Sequence, residues 1–309
     1  MIGPLIGDKA REGTEMVILV TGASGFIGRR LVERLVREGD KTIYAASRAG
    51  ESPQGAIGVR LDLCDRASFA NLPESIDTVV HLAALIDSED IGSYIDTNVR
   101  GTAWVLQYAA GAGASLFVHG STGGLYGSSA VPFTEASPFR PQDDYALTKA
   151  QAEMLVMALG QGMVKVRLRY SGPYAIGTPN PLTRLVNRVI DGEEIEVIPG
   201  MYPRYCPLHV DDAVEMTVRC LELSSDVALN IAGTEVATFP AIALIAGEEV
   251  GREPRFKLVS PEETIPYYRS DFMMDGTAAI DLLNYRPKIS LRDGIREMAR
   301  DIKAARPPA

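Results

Sequence analysis

Short apolar runs rich in β-branched residues recur along the first half of the chain, separated by stretches of helical periodicity. MVILVTG begins at Met16, and KTIYAAS, IGVRLDL, TVVHLAA, LFVHGST and VKVRLRY follow it in order. Runs this short, bounded by turn residues, predict strands covered on both faces. After the first, Ile27, Leu31 and Leu35 recur at helix spacing, and the segments 95–110 and 145–159 are apolar over much of their circumference. Strand–helix alternation of this kind predicts an α/β architecture, a parallel sheet flanked by helices.

After about Tyr170 the texture changes. SGPYAIGTPNP and VIPGMYPRYCP are rich in Pro, Gly and Tyr and read as ordered loops. DDAVEMTVRCLEL predicts a helix returning to the sheet, with Asp211 or Asp212 as its cap, and VALNIAG predicts a late strand. SLRD from Ser290 has the spacing of a capping box and predicts the last helix. The expected organisation is a nucleotide-type domain over 16–172 plus about 208–233, a substrate-binding portion over about 173–207 and 234–303, and an extension over 1–15.

Composition narrows the partners. Among 309 residues the formal net charge is −9 and the pI near 5.0, which argues against nucleic acid or an anionic membrane as partner. No apolar run reaches membrane-spanning length. Cys64, Cys206 and Cys220 have no paired spacing, and His81, His119 and His209 are not clustered as metal ligands, so neither a disulfide framework nor a metal is expected. A cytoplasmic protein fits these features.

Two short stretches carry chemistry. VTGASGFIG puts Gly22, Gly25 and Gly28 between a strand and a helix, where glycine permits a tight turn and helix amides favour a phosphate. Gly22, Ser24, Gly25, Phe26, Ile27 and Gly28 are therefore assigned to a dinucleotide. The fold class becomes a Rossmann-type doubly wound sheet. The second strand ends AASRAG, with Ala46 and Ser47 where an acid would hold the ribose of NAD, and with Arg48 just beyond. Ser47 and Arg48 suit a 2′-phosphate, so NADP(H) is favoured over NAD(H), with Glu51 close by in sequence. In YALTK, Tyr145 and Lys149 share a helix face, and the ammonium is expected to stabilise the phenolate and lower the pKa of the phenol so that it can exchange a proton with a carbonyl oxygen.

The G-x-x-G-x-x-G spacing after Thr21, followed by Asp62-Leu63, HLAA (His81–Ala84), TNVRGT with Asn98, YALTK and HVDDA, resembles the extended short-chain dehydrogenase/reductase superfamily, the NAD-dependent epimerase/dehydratase branch. The resemblance covers most of the chain. It implies cofactor contacts at Asp62, Leu63, Leu82, Ala83, Ala84, Asn98, Tyr145 and Lys149, and it makes Thr122 the third catalytic residue, with Ser121 as the alternative. It also implies a homodimer and, as substrate, a nucleotide-linked sugar held by Ser121, Gly123, Arg204 and Arg269. Dehydratases of the family resemble TDE after the catalytic threonine, and epimerases acting beside a ketone resemble STC; Gly123 and Gly124 supply no such acid or base. Hydride transfer at a carbonyl or secondary alcohol remains. The leading expectation is a ketoreductase, then a 4-epimerase with tightly bound NAD, and last a non-catalytic dinucleotide sensor, whose kind loses the Tyr–Lys pair kept here.

Overall fold

The computed structural model describes residues 15–160, 162–177, 180–260, 262 and 271–305. The six early apolar runs all form strands: β1 (Met16–Thr21), β2 (Lys41–Ser47), β3 (Ile57–Arg60), β4 (Thr78–His81), β5 (Leu116–Thr122) and β6 (Val164–Tyr170). With Val227–Ile231 at one edge they make a seven-stranded sheet in the order Val227–Ile231, β6, β5, β4, β1, β2, β3. The pairings from β6 through to β3 are all parallel. β3 stops before the end of its apolar run because the Ser68 hydroxyl bonds both the backbone N–H and C=O of Asp62 and turns the chain there.

Both faces of the central strands are covered. Leu19, Val79 and Phe117 share a core with Val105, Leu106 and Val156, whereas the alternate residues Ile18, Val20, Val80 and Val118 are equally buried. Helix α1 (Phe26–Val36) buries Leu31, Val32 and Leu35. The helix expected over 95–110 starts earlier and is interrupted: Asp90 caps α2 (Ile91–Tyr94), a π-helical turn spans Ile95–Arg100, and α3 (Gly101–Gly111) continues. Gly101 lets the start of α3 pack closely on Leu63, since a Cβ there would lie 2.8 Å from Cβ of Leu63. Asp143 caps α4 (Asp144–Leu159) by accepting from the backbone of Ala146.

The chain divides into two compact units. The first holds the residues through Tyr126, Pro138–Tyr170 and Val214–Leu229; the second holds Gly127–Ser137, Ser171–Ala213 and the chain from Asn230. Beyond α4 come α5 (Pro181–Asp191), α6 (Val210–Arg219), α7 (Phe239–Val250), α8 (Thr277–Leu283) and α9 (Leu291–Ala304). In the second unit Leu185 and Val189 of α5, Ile242 and Ala246 of α7, and Ile295 and Met298 of α9 form one core. Ser290 caps α9 through its hydroxyl and Asp293, as the spacing predicts. Asp212 does not cap its helix: buried, it accepts from Tyr285 Oη and from the backbone of Lys288 and Ile289. The stretch expected as loop around Pro203 contains a two-residue strand, Arg204–Tyr205, paired with Ala237–Thr238.

Candidate active site

The strand order reverses between β1 and β4, and ligands of open α/β sheets bind outside the carboxyl ends of strands at such a point. The glycine turn begins there. Gly22 has φ +71°, and a Cβ on it would stand 2.7 Å from the backbone nitrogen of Ala83, just past β4. At Gly28 a Cβ would stand 2.1 Å from the carbonyl oxygen of Gly22. Only hydrogen fits at either position. Gly25 ends the turn as the N-cap residue of α1, Ser24 is exposed on it, and no acidic residue occupies the first turn of α1. The backbone is thus shaped to admit an anion at the N-terminus of an eleven-residue helix.

A chain of buried hydrogen bonds holds the two strand ends together. Thr21 Oγ1 lies 2.7 Å from His81 Nδ1, and His81 Nε2 lies 2.9 Å from Thr102 Oγ1. The Thr102 hydroxyl donates to the carbonyl of Asn98, so it accepts from His81 Nε2–H, and Nδ1 accepts from Thr21. Burial, then the nearby Lys149, lowers His81 to about 3, so the ring is a neutral strut. Asn98, assigned above to the cofactor, spends its amide otherwise: it accepts from Leu85 N, and donates to Leu85 O and to Thr148 Oγ1. It shapes the segment Leu82–Leu85 instead of offering its own side chain, because a buried amide must pair with what surrounds it.

The other expected cofactor residues line up along the strand ends. Asp62 is half-buried, with Oδ1 accepting from Cys64 N, and Leu63 is buried. Leu82, Ala83 and Ala84 are half-buried after β4, as are Phe26 and Ile27 at the start of α1. Ser47 is buried at the end of β2, where its hydroxyl donates to Glu51 O and accepts from Gly50 N; Arg48 and Glu51 are exposed.

Thr122 ends β5 and accepts from Gly124 N at 3.1 Å. A Cβ at Gly124 would meet Thr122 Oγ1 at 3.4 Å and Ala146 Cβ at 3.5 Å, so the Thr122 hydroxyl lies beside the first turn of α4. That turn carries Tyr145, half-buried, and one turn on is Lys149, fully buried. Burial, with Asp143 and Tyr94 adding, raises the Tyr145 phenol to about 12. Burial lowers the Lys149 amine to about 8, and Glu153 opposes that shift. In the ligand-free chain the phenol is thus less acidic than usual and not more, because burial first, then Asp143 and Tyr94, disfavour the phenolate.

Two residues expected at the substrate are engaged within the protein itself. The buried Ser121 hydroxyl donates to Glu153 Oε2 at 2.7 Å, which commits it to the protein interior. Arg204 donates through Nε and Nη2 to Asp271 Oδ2, at 3.0 and 2.5 Å, and again to Ala130 O, so its charge is matched within its own unit. Gly123 begins the turn after Thr122, and Arg269 lies outside the described residues. Sequence reading missed the pair Glu153–Arg169, whose only signal is the i+4 step from Lys149. Among the described residues one group of side chains could ligate a metal, His209, Asp211 and Glu297, but His209 Nδ1 accepts from Asp211 N and Asp211 is largely exposed.

Comparison with known proteins agrees with this geometry. The sequence model of the NAD-dependent epimerase/dehydratase family matches residues 18–232. A dTDP-glucose 4,6-dehydratase of Streptomyces antibioticus is 30% identical over 91% of this chain and 90% of its own length. A dTDP-4-dehydro-6-deoxy-D-allose reductase of a Streptomyces species is 28% identical over 92% and 95%. In fold, the chain is similar to UDP-glucuronic acid 4-epimerase of Bacillus cereus in complex with UDP-glucuronic acid and NAD, with a TM-score of 0.84, 24% identity, and coverage of 94% and 99%.

Proposed function

Because the chain belongs to the NAD-dependent epimerase/dehydratase family, we propose that it is a reductase of nucleotide-linked sugars, transferring hydride at a carbonyl or secondary alcohol, with NADP(H) as the favoured dinucleotide. The observation that carries the reading is that the Thr122 hydroxyl lies next to the first turn of α4, which bears Tyr145 with Lys149 one turn on. It does so in a chain whose glycine turn after β1 packs backbone on backbone as only glycine allows.

The bound dinucleotide supplies or accepts the hydride. Gly22, Ser24, Gly25, Phe26, Ile27 and Gly28 would hold its pyrophosphate, and Asp62, Leu63 and Leu82–Ala84 its adenosine side and nicotinamide approach. Arg48 is an exposed cation at the end of β2, where Ala46 and Ser47 leave no carboxylate to repel a 2′-phosphate. Thr122 orients the reacting oxygen by hydrogen bonding. Tyr145 Oη gives that oxygen a proton, or takes it in the reverse direction, and Lys149 supplies the positive charge that makes the transfer feasible. A phenol at about 12 is a reluctant donor, so a cation must accompany the reacting state. Gly123 and Gly124 carry no proton-transferring group, which favours simple reduction over elimination.

Several further features support the setting we assign. No helix among the described residues is long and apolar enough to cross a membrane, and Cys64, Cys206 and Cys220 are free thiols, which suits a reducing cytoplasm. Exposed Leu147, Met154 and Met157 on α4 favour a homodimer.

The test is NADPH and NADH oxidation with nucleotide-linked ketosugars by the wild type and Tyr145→Phe. The wild type is expected to prefer NADPH, and the variant to lose about 10²–10⁴-fold in kcat. Undiminished turnover in the variant overturns the assignment. Tightly retained NAD with interconversion of the sugar's 4-epimers, and no net oxidation, would establish the second reading, a 4-epimerase using the same three residues.

A further inference from the structure

Glu153 is completely buried, and every atom of its carboxylate is engaged. Oε1 and Oε2 receive Arg169 Nε at 3.0 and 3.2 Å, Oε1 receives Arg169 Nη2 at 2.5 Å, and Oε2 receives the Ser121 hydroxyl at 2.7 Å. Arg169 Nη1 in turn donates to Tyr126 Oη at 2.6 Å, and its guanidinium lies over the rings of Tyr126 and Phe139. Ser121 is the residue before Thr122, and Tyr126 closes the turn that follows Thr122. Glu153 also lies one helical turn beyond Lys149, which is itself one turn beyond Tyr145, so the three side chains share a face of α4.

From this arrangement, and resting on the catalytic reading above, we propose that Glu153 is a positioning residue that sets the Lys149 ammonium and the Thr122 segment in one register. The carboxylate reaches β5 on one side of Thr122 through Ser121 and on the other through Arg169 and Tyr126. It meets the α4 machinery through the helix itself. A pair placed only for stability would not require the segment before and after one catalytic hydroxyl to be tied to the same oxygen atoms.

The charges around Lys149 make the consequence readable. His81 of β4 and His119 of β5 face it and are held neutral by burial, His119 well below its usual range. Asn98 of the π-helical turn, which faces α4, has no ionisable group, and Asp143 and Tyr94 act on Tyr145. Arg167 and Arg169 of β6 both interact with Glu153. Glu153 is therefore the anion that keeps the buried amine protonated near neutral pH.

The experiment is the pH dependence of NADPH and NADH binding, followed by nucleotide fluorescence, in the wild type, Glu153→Gln and Glu153→Asp, with kcat measured alongside. Wild-type affinity should fall as pH rises through about 8, where Lys149 loses its proton. In Glu153→Gln that midpoint should move down by about one pH unit. Glu153→Asp keeps the charge but shortens the reach to Ser121, so its midpoint should stay while kcat drops about tenfold or more. Should Glu153→Gln fail to fold, Ser121→Ala and Tyr126→Phe cut the carboxylate's two links to the Thr122 segment and leave its charge. Each should lower kcat with the midpoint unmoved, and undiminished kcat in both overturns the inference. An unmoved midpoint in a folded charge-neutral variant overturns the inference alone. Absence of dinucleotide binding by the wild type removes the functional reading together with it.

Discussion

At the scale of single residues, the buried amine of Lys149 links stability to pH in an unusual sense. An exposed lysine titrates near 10.5, whereas here burial brings the group to about 8. Between those values the unfolded chain binds a proton that the folded chain does not, so the free energy of unfolding rises with pH. The full effect is at most ~3 kcal/mol. Cys220 and Tyr145, both raised by burial, act oppositely from about pH 9 and 10 upward, so the cleanest window is pH 8–9. We predict that the melting temperature of the ligand-free wild type, measured relative to Lys149→Met, climbs by roughly 2 °C from pH 8 to 9. Over the same interval dinucleotide binding should weaken. A flat difference between the two proteins would mean that Lys149 is solvated. The spacing of Tyr145 and Lys149 was legible in the sequence because helix periodicity alone fixes it, but the sign of the phenol's shift was not, because it depends on how much water the fold excludes.

At the scale of elements, the π-helical turn Ile95–Arg100 is the joint of the site. It turns Asn98 inward, where the amide bonds both backbone groups of Leu85 and reaches Thr148, whose own hydroxyl bonds the carbonyls of Asp144 and Tyr145. The segment after β4 and the first turn of the catalytic helix are thereby tied through one side chain. Asn98→Ala leaves the Leu85 N–H and C=O without these partners, at a cost of about 2–4 kcal/mol in unfolding by denaturant. It should also weaken dinucleotide binding at least tenfold, since Leu82–Ala84 lose their anchor; unchanged binding in the folded variant would show that the segment holds its shape unaided. The apolar periodicity of 95–110 predicted a helix but gave no hint of the interruption, because one extra residue per turn leaves the hydrophobic face nearly intact. Caps were easier to read: Ser290 accepts from Asp293 N as its spacing indicates, while the Asp293 carboxylate accepts from the Ser290 hydroxyl. Asp212 was misread because its true partners, Tyr285, Lys288 and Ile289, come from a distant stretch of chain.

At the scale of the whole molecule, the first unit was written more plainly in the sequence than the second. Its central strands β1, β4 and β5 are buried on both faces and so read as apolar runs, and all six early strands were legible. In the second unit α5, α7 and α8 went unread. Pro181 and Pro240 look like breakers although each sits in the first turn of a helix capped by Asn180 or Thr238, where a missing N–H costs nothing. The same patterning leaves an imbalance on α4. Tyr145, Lys149 and Glu153 take its inner face, yet Leu147 and Met154 on the opposite face are 41% and 57% exposed, and Met157, one turn beyond Glu153 near the helix end, is 44% exposed. Ile91 and Ile95, at 39% and 43%, add apolar surface on α2 and the adjoining turn. Net charge −9 opposes association of two copies, so burial of this apolar surface must outweigh that repulsion, and a second copy presenting the same helix is self-complementary around a two-fold axis. We therefore predict a dimeric mass by light scattering at micromolar concentration and a monomeric one for M154E/M157E. Because Met154 lies on the opposite face and Met157 is exposed two turns beyond Lys149, the variant should keep dinucleotide affinity within about twofold as long as cofactor binding needs only one subunit. A monomeric wild type would assign the patch to something other than self-association, since its apolar area would then stand exposed with no copy to cover it.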